Sequence, residues 1–339
     1  MNMKKSTATV SKSLNSLFNL PTIDLIDRVS VMISQESQPH NATKDYIRQS
    51  SQDGQPRNSK LVTPVAREKI VRWLFEIVDY FDVDRSTVAM AMNYADRFMC
   101  ARSTKASRKN INSYQLICLA CLFLATKTID TTHIDVDLLV KASRGCYDRR
   151  EILDAEKEVL IALDWRVCGV TSSCFSYHLL GLLLKVVPVG PSVIGSLIDF
   201  TRFQIEFSIA EYDICVLQRP STVAMAAVLN SMDLLDISPS QRAVYYRVIH
   251  SIGLSFSSTK VRETCHELND VFNRQSEDIS SSISALSISF RSSDSAVTPR
   301  LSPKISSLLK CEPSPTSVER APTSLNRIRS RWSLEKAKR

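Results

Sequence analysis

From Leu61 to Phe272, apolar residues recur at the three- and four-residue spacing that lines one side of an α-helix, with only short polar breaks. A stretch patterned this way is poorly suited to strands, whose side chains alternate every second residue. The chain also holds only 7 glycines, and most of its 13 prolines fall outside the long apolar runs. Tight-turn β architectures and glycine-cradled nucleotide loops are therefore both poorly supplied. The reading is all-α.

Start signals divide the pattern. Thr63-Pro64 offers an N-cap followed by proline at the first helical position and predicts a helix to about Tyr80. Asp84 opens a second, to Cys100, and Asn112 or Ser113 a third, ending near Lys127. Asp135 opens a short fourth, and Asp148 with Glu151 forms a capping box for a fifth, through Leu163. After a connector at 164–170 the pattern resumes, with helices near 172–187, 191–210, 220–235, 239–255 and 258–272. Five helices followed by five more predict two tandem five-helix folds, although no sequence repeat at a fixed period is visible.

The organisation expected is a mostly disordered region over 1–40, a first fold with a preceding short helix over 41–167, a second over 168–273, and a disordered basic tail over 274–339. Modest helical spacing also occurs near Thr22–Ile33 and Lys44–Gln49. The tail is rich in Ser and Pro and poor in aromatics, so it lacks the apolar surface that would offset the entropy of ordering.

Composition narrows the function. Nine cysteines, scattered among apolar residues, and the absence of any secretory leader pattern fit a reducing compartment. Cys118 and Cys121 have CxxC spacing but no second cysteine or histidine pair nearby; buried small side chains are the better reading, and no metal or cofactor is expected. The apolar run Leu116–Ala125 is too short for a membrane span, which needs about 20 residues. Twelve basic and six acidic residues from Arg274 onward give the tail +6 of the chain's net +8. The nearly neutral folded part argues against a specific nucleic-acid surface. Five scattered histidines and no phosphate loop leave an enzyme without a nucleophile, base or phosphate cradle.

Several charges fall on apolar faces. Arg67 shares a face with Ile70, Val71 and Leu74, and Asp96 lies within the stripe Val88, Met92, Ala95 and Met99. Either charge buried alone would cost several kcal/mol, so a buried Arg67–Asp96 pair is predicted. Glu156 sits between Ile152 and Leu160, and Lys127 ends the most apolar helix. Spacing leaves two readings open for these: a charge at a stripe's edge and a cation complementing a helix C-terminus, or a functional pair.

In order and spacing, Arg67-Glu68-Lys69-Ile70-Val71-Arg72-Trp73-Leu74, Met92-Asn93-Tyr94-Ala95-Asp96-Arg97-Phe98, Tyr114-Gln115-Leu116 through Lys127, and Glu151-Ile152-Leu153-Asp154-Ala155-Glu156 through Trp165 resemble the cyclin box. Arg219 to Ala227 is similar, less distinctively, to the second cyclin fold. The resemblance covers A-, B- and D-type cell-cycle cyclins without resolving the subclass. It implies a non-enzymatic subunit that forms a heterodimer with a cyclin-dependent protein kinase and activates it.

Five positions match the box's defining residues: Arg67, Asp96, Leu116, Lys127 and Glu156. By resemblance the first two form an internal ion pair, and Lys127 and Glu156 hydrogen-bond backbone groups of the kinase's regulatory helix. Leu124, Leu160 and Trp165 would add apolar contacts to that helix, and Tyr46 matches an aromatic residue of the short helix before the box that also touches the kinase. Ile70, Trp73, Glu76 and Gln115 match a patch that captures Arg-x-Leu motifs of substrates, with core packing as the alternative role for Trp73. Ala66 and Lys69 replace a usual methionine and a usual aliphatic there, which should weaken capture. Thr128-Ile129-Asp130 departs from the acidic pair that often follows the lysine.

Thr298, Ser302 and Ser314 each precede proline and are candidate phosphosites for proline-directed kinases. The basic end, Arg327–Trp332 and Lys336–Arg339, suits nuclear import, against an alternative of solubilising charge; the nucleus is the expected location, with the cytoplasm as a second one. The rival readings are a cyclin-fold transcription adapter, disfavoured by the lack of a zinc ribbon, and a cyclin serving a transcriptional or nutrient-signalling kinase.

Overall fold

A computed structural model describes residues 19–48, 62–101, 110–129 and 134–289. In chain order its helices are α1 (Thr22–Glu36), α2 (Pro64–Tyr80), α3 (Ser86–Cys100), α4 (Ile111–Ile129), α5 (Val136–Ala142), α6 (Arg149–Ala162), α7 (Ser172–Val186), α8 (Pro191–Ala210), α9 (Tyr212–Cys215), α10 (Pro220–Leu234), α11 (Pro239–Ser251) and α12 (Thr259–Ser289). The protein is all-α, two tandem helical folds joined in series, with α2–α6 in the first and α7–α12 in the second.

Local chemistry places the helix starts. The Thr63 side chain accepts from the Ala66 amide, with Pro64 at the first helical position. Both capping boxes form, Asp148 with Glu151 and Ser238 with Gln241. Each fold is built around one helix that is apolar or small on all sides, the signature of a helix enclosed by others. In the first it is α4, buried continuously from Tyr114 to Thr126; in the second it is α10, buried from Ser221 to Met232.

Three features depart from the sequence reading. Within the stretch expected to be mostly disordered, α1 is an ordered helix, and its Leu25, Val29 and Met32 enter the core of the second fold, not the first. Gly181 of α7 leaves room for this: a Cβ there would sit 3.5 Å from Leu25 Cδ1. The short helix α9 follows α8 directly. Finally, α12 runs to Ser289, past the break expected at 274; Ile279, Ile283 and Leu286 continue the helical spacing, and no proline interrupts it.

Between α1 and α2 the chain runs along the seam and bonds alternately to the two folds. Glu36 Oε1 accepts from the Ser221 amide and hydroxyl at 3.1 Å each, capping α10. The His40 carbonyl accepts from Arg97 Nε at 2.9 Å in the first fold, and Thr43 Oγ1 donates to the Val216 carbonyl at 2.6 Å in the second. The Ile47 amide then donates to Tyr212 Oη at 3.1 Å, and Arg48 pairs with Asp213.

Candidate functional site

Two clusters contain the residues singled out from sequence. The first is internal. Arg67 is fully buried, and its five N–H groups all have partners: Nε and Nη2 reach Asp96 Oδ1 and Oδ2 at 3.2 and 2.8 Å. Nη1 donates to the Ile209 carbonyl at 2.6 Å and lies 3.4 Å from that of Ala210, while Nη2 also meets Cys215 Sγ at 3.2 Å. Arg67 is thus paired within the first fold and at the same time caps the C-terminal end of α8, where helix carbonyls lack partners and a cation is favoured. This second role was invisible in the spacing. Leu116, 8 % exposed, belongs to the same core.

Tyr46 lies in this cluster too. It is 4 % exposed; its hydroxyl donates to Asp96 Oδ1 at 2.8 Å and lies 3.3 Å from Tyr114 Oη, and its ring meets Tyr212 edge-on. Burial and the neighbouring Asp96 carboxylate push the phenol well above its ordinary pKa, so it stays protonated and serves as a donor.

The second cluster reaches the surface. Lys127, in the last turn of α4, places Nζ 2.6 and 2.9 Å from the two Glu156 oxygens, across from the middle of α6. The side chains are unequally exposed, 39 % for Lys127 and 10 % for Glu156, and Nζ rests 3.7 Å from the centre of the Phe123 ring. An ammonium carries three N–H groups and each carboxylate oxygen two lone pairs, so a pair of this kind retains one donor and further acceptor capacity. It can therefore both donate to and accept from a peptide backbone laid over it.

An apolar residue lies one helical turn from each member of the pair, Leu124 before Lys127 and Leu160 after Glu156. Leu160 is half-buried, and Leu124, at 5 %, is mostly enclosed within the core. Trp165 is 68 % exposed and follows Asp164; both have positive φ, 60° and 50°. The turn is closed by the Trp165 amide donating to the Leu160 carbonyl at 2.9 Å. Left-handed backbone at a non-glycine residue costs about 1 kcal/mol or more, and such strain concentrates at functional sites. The structure adds three residues that the sequence reading passed over: Leu153, Ile161 and Ile129 are exposed. Their signal was present, since all three are large apolar residues off the core stripes of α6 and α4.

The four residues of the expected docking patch divide. Ile70 is 5 % and Gln115 8 % exposed, and Gln115 Oε1 accepts from Tyr147 Oη at 3.2 Å. Trp73 is half-buried against the first core, and Glu76 is exposed. Partial burial raises the Glu76 pKa, opposed by the positive charge of Arg144. Thr298, Ser302 and Ser314, like the basic end at 327–339, lie outside the described residues. Among the described residues no helix is long and apolar enough to cross a membrane, and no three His, Cys, Asp or Glu side chains cluster as metal ligands do.

The family profile described as "Cyclin, N-terminal domain" matches residues 27–168, the stretch that carries Tyr46, Arg67, Asp96, Lys127 and Glu156. The chain carries a cyclin N-terminal domain. Cyclin-D3-3 of Arabidopsis thaliana is 28% identical to it over 213 residues, 60% of this chain and 54% of that protein. Putative cyclin-A3-1 of the same plant is 25% identical over 237 residues, 67% of this chain and 64% of the relative. Cyclin-D2-1 of Oryza sativa subsp. japonica is 34% identical over 118 residues, 34% and 38% of the two chains. The chain thus spans about half the length of the curated relatives it matches. The X-ray structure of a viral cyclin from herpesvirus saimiri shares the fold, with a TM-score of 0.51, 19% identity, and coverage of 62% of this chain and 87% of that one.

Proposed function

We propose that this protein is the non-catalytic regulatory subunit of a cyclin-dependent Ser/Thr protein kinase, which it binds through the Lys127–Glu156 face and thereby activates. The observation that carries the proposal is a surface-reaching ion pair with residual hydrogen-bonding capacity, with half-buried Leu160 one turn beyond Glu156 on α6 and exposed Trp165 just past the end of that helix. A kinase is active when a lysine that contacts ATP pairs with a glutamate on a mobile regulatory helix. A rigid surface that binds the inward position of that helix better than the outward one shifts the population toward the active state. Lys127 and Glu156 would bond the backbone at the start of that helix while Leu160 and Trp165 cover its apolar side. Leu124 would contribute mainly by supporting them from within the core.

Cell-cycle control is the process proposed, supported by the A-, B- and D-type names of the relatives, one of which is the "G2/mitotic-specific cyclin-2" of Antirrhinum majus. Nuclear location, phosphorylation at Thr298, Ser302 and Ser314, and weak capture of Arg-x-Leu substrates at Glu76 and Trp73 belong to the same reading. The deciding experiment is co-purification of a protein kinase with the tagged chain and with the Lys127→Ala, Glu156→Ala double variant. Loss of an interfacial charged group costs about 2–5 kcal/mol, so kinase recovery should fall by more than tenfold while the variant keeps its helical circular dichroism. Undiminished recovery would refute the assignment of the face; no kinase recovered with either chain would refute the function.

A further inference from the structure

Where the two folds meet, Arg85, at the start of α3, donates from Nε to Glu206 Oε2 of α8 at 2.9 Å. Arg67 grips the same last turn of α8 through the Ile209 carbonyl, so two arginines of the first fold fasten one helix end of the second. Glu206 is only 9 % exposed, yet its other oxygen, Oε1, accepts no hydrogen bond, and neither does Arg202 Nε donate one. Those two atoms lie 3.6 Å apart, too far for a hydrogen bond. Arg202 and Glu206 both line a cavity of about 20 Å³, together with Ser86, Ser176 and Tyr177.

Arg202 and Glu206 form an ion pair at 3.6 Å, but a buried donor and a buried acceptor each left without a hydrogen bond would still cost about 1–3 kcal/mol. A cavity needs about 10–15 Å³ and two to four polar partners to hold one water, and this one supplies both. We infer that a single internal water molecule is a structural part of the seam, accepting from Arg202 Nε and donating to Glu206 Oε1, with the Tyr177 hydroxyl as third partner. The space is too small for a larger ligand, and the two guanidinium groups disfavour a metal cation. With this water in place Glu206 becomes a three-way junction: Arg85 from the first fold on one oxygen, and Arg202 through water on the other. Only Arg85 crosses between the folds; Arg202 lies one turn before Glu206 on α8, and the water holds the carboxylate that Arg85 grips.

The test is a crystal structure of the full chain at a resolution that shows ordered solvent, together with Glu206→Gln, which keeps an oxygen acceptor, and Glu206→Leu, which does not. Expected is a spherical density peak within hydrogen-bond distance of Arg202 Nε and Glu206 Oε1, retained in Glu206→Gln and missing from Glu206→Leu. A cavity without density, Arg202 Nε bonded directly to Glu206, or a peak that persists in Glu206→Leu would each overturn the inference. If Glu206→Leu does not fold, the density in the native chain and in Glu206→Gln decides. In solution, water magnetic relaxation dispersion of the native chain should show a long-lived internal water, and its absence would also overturn the inference.

Discussion

The residue that ties the molecule together is Arg67. Truncation to alanine leaves Asp96 buried without a counter-ion and uncaps the Ile209 and Ala210 carbonyls. Breaking a buried pair in this way costs about 3–5 kcal/mol. Arg67→Ala should therefore lose that much stability in urea denaturation, and a loss below about 1 kcal/mol would show that the pair matters little. Tyr46 offers a sharper discrimination. Tyr46→Phe removes one donor to Asp96 and should lower stability by about 1–2 kcal/mol while leaving kinase recovery unchanged. Lost kinase binding with stability intact would instead restore Tyr46 to the surface role that its sequence position suggested.

At the scale of elements, α1 shows how far a local pattern can be from its destination. Its apolar stripe, Leu25, Val29 and Met32, is legible as a short amphipathic helix, but the stripe packs against α7 and α10, far along the chain. Leu25 is fully buried, and large-to-small changes at such sites cost about 2–5 kcal/mol. Leu25→Ala should show that loss in the same denaturation experiment, whereas a disordered α1 would leave stability unchanged. The segment after it, from Glu36 to Arg48, contributes by the same logic: some of its bonds go to the first fold and others to the second, so it staples one to the other. Within α4 and α6, the positions of Lys127 and Glu156 follow from helix period alone, but their mutual contact required the two helices to cross.

For the whole molecule, pH reports on burial. His178 is half-buried in α7, and burial lowers its pKa below the ordinary value, only partly offset by its hydrogen bond with the Cys174 carbonyl and reinforced by Arg28. The folded state thus binds this proton less readily than the unfolded chain does. Stability from this site is fully present above the unfolded pKa of about 6.5 and is lost as pH falls below it. Burial raises the Glu206 and Glu36 pKa values, so these carboxyls act in the opposite direction, favouring the folded state as they protonate in more acidic solution. Replacing His178 with Gln should therefore flatten the decline in melting temperature between neutral and mildly acidic pH; an unchanged slope would mean that His178 protonates freely in the folded state. The sequence by itself determined the helical class, the start of nearly every helix, the two-fold organisation and the placement of charges on apolar faces, because caps and apolar period are properties of residues a few positions apart. Only the tertiary structure decided that α1 belongs to the second fold, that Tyr46 faces inward, that Arg67 spans the seam and that Leu153 and Ile161 are left exposed. Those facts depend on which surfaces meet across long stretches of chain, and neither spacing nor composition encodes that meeting locally.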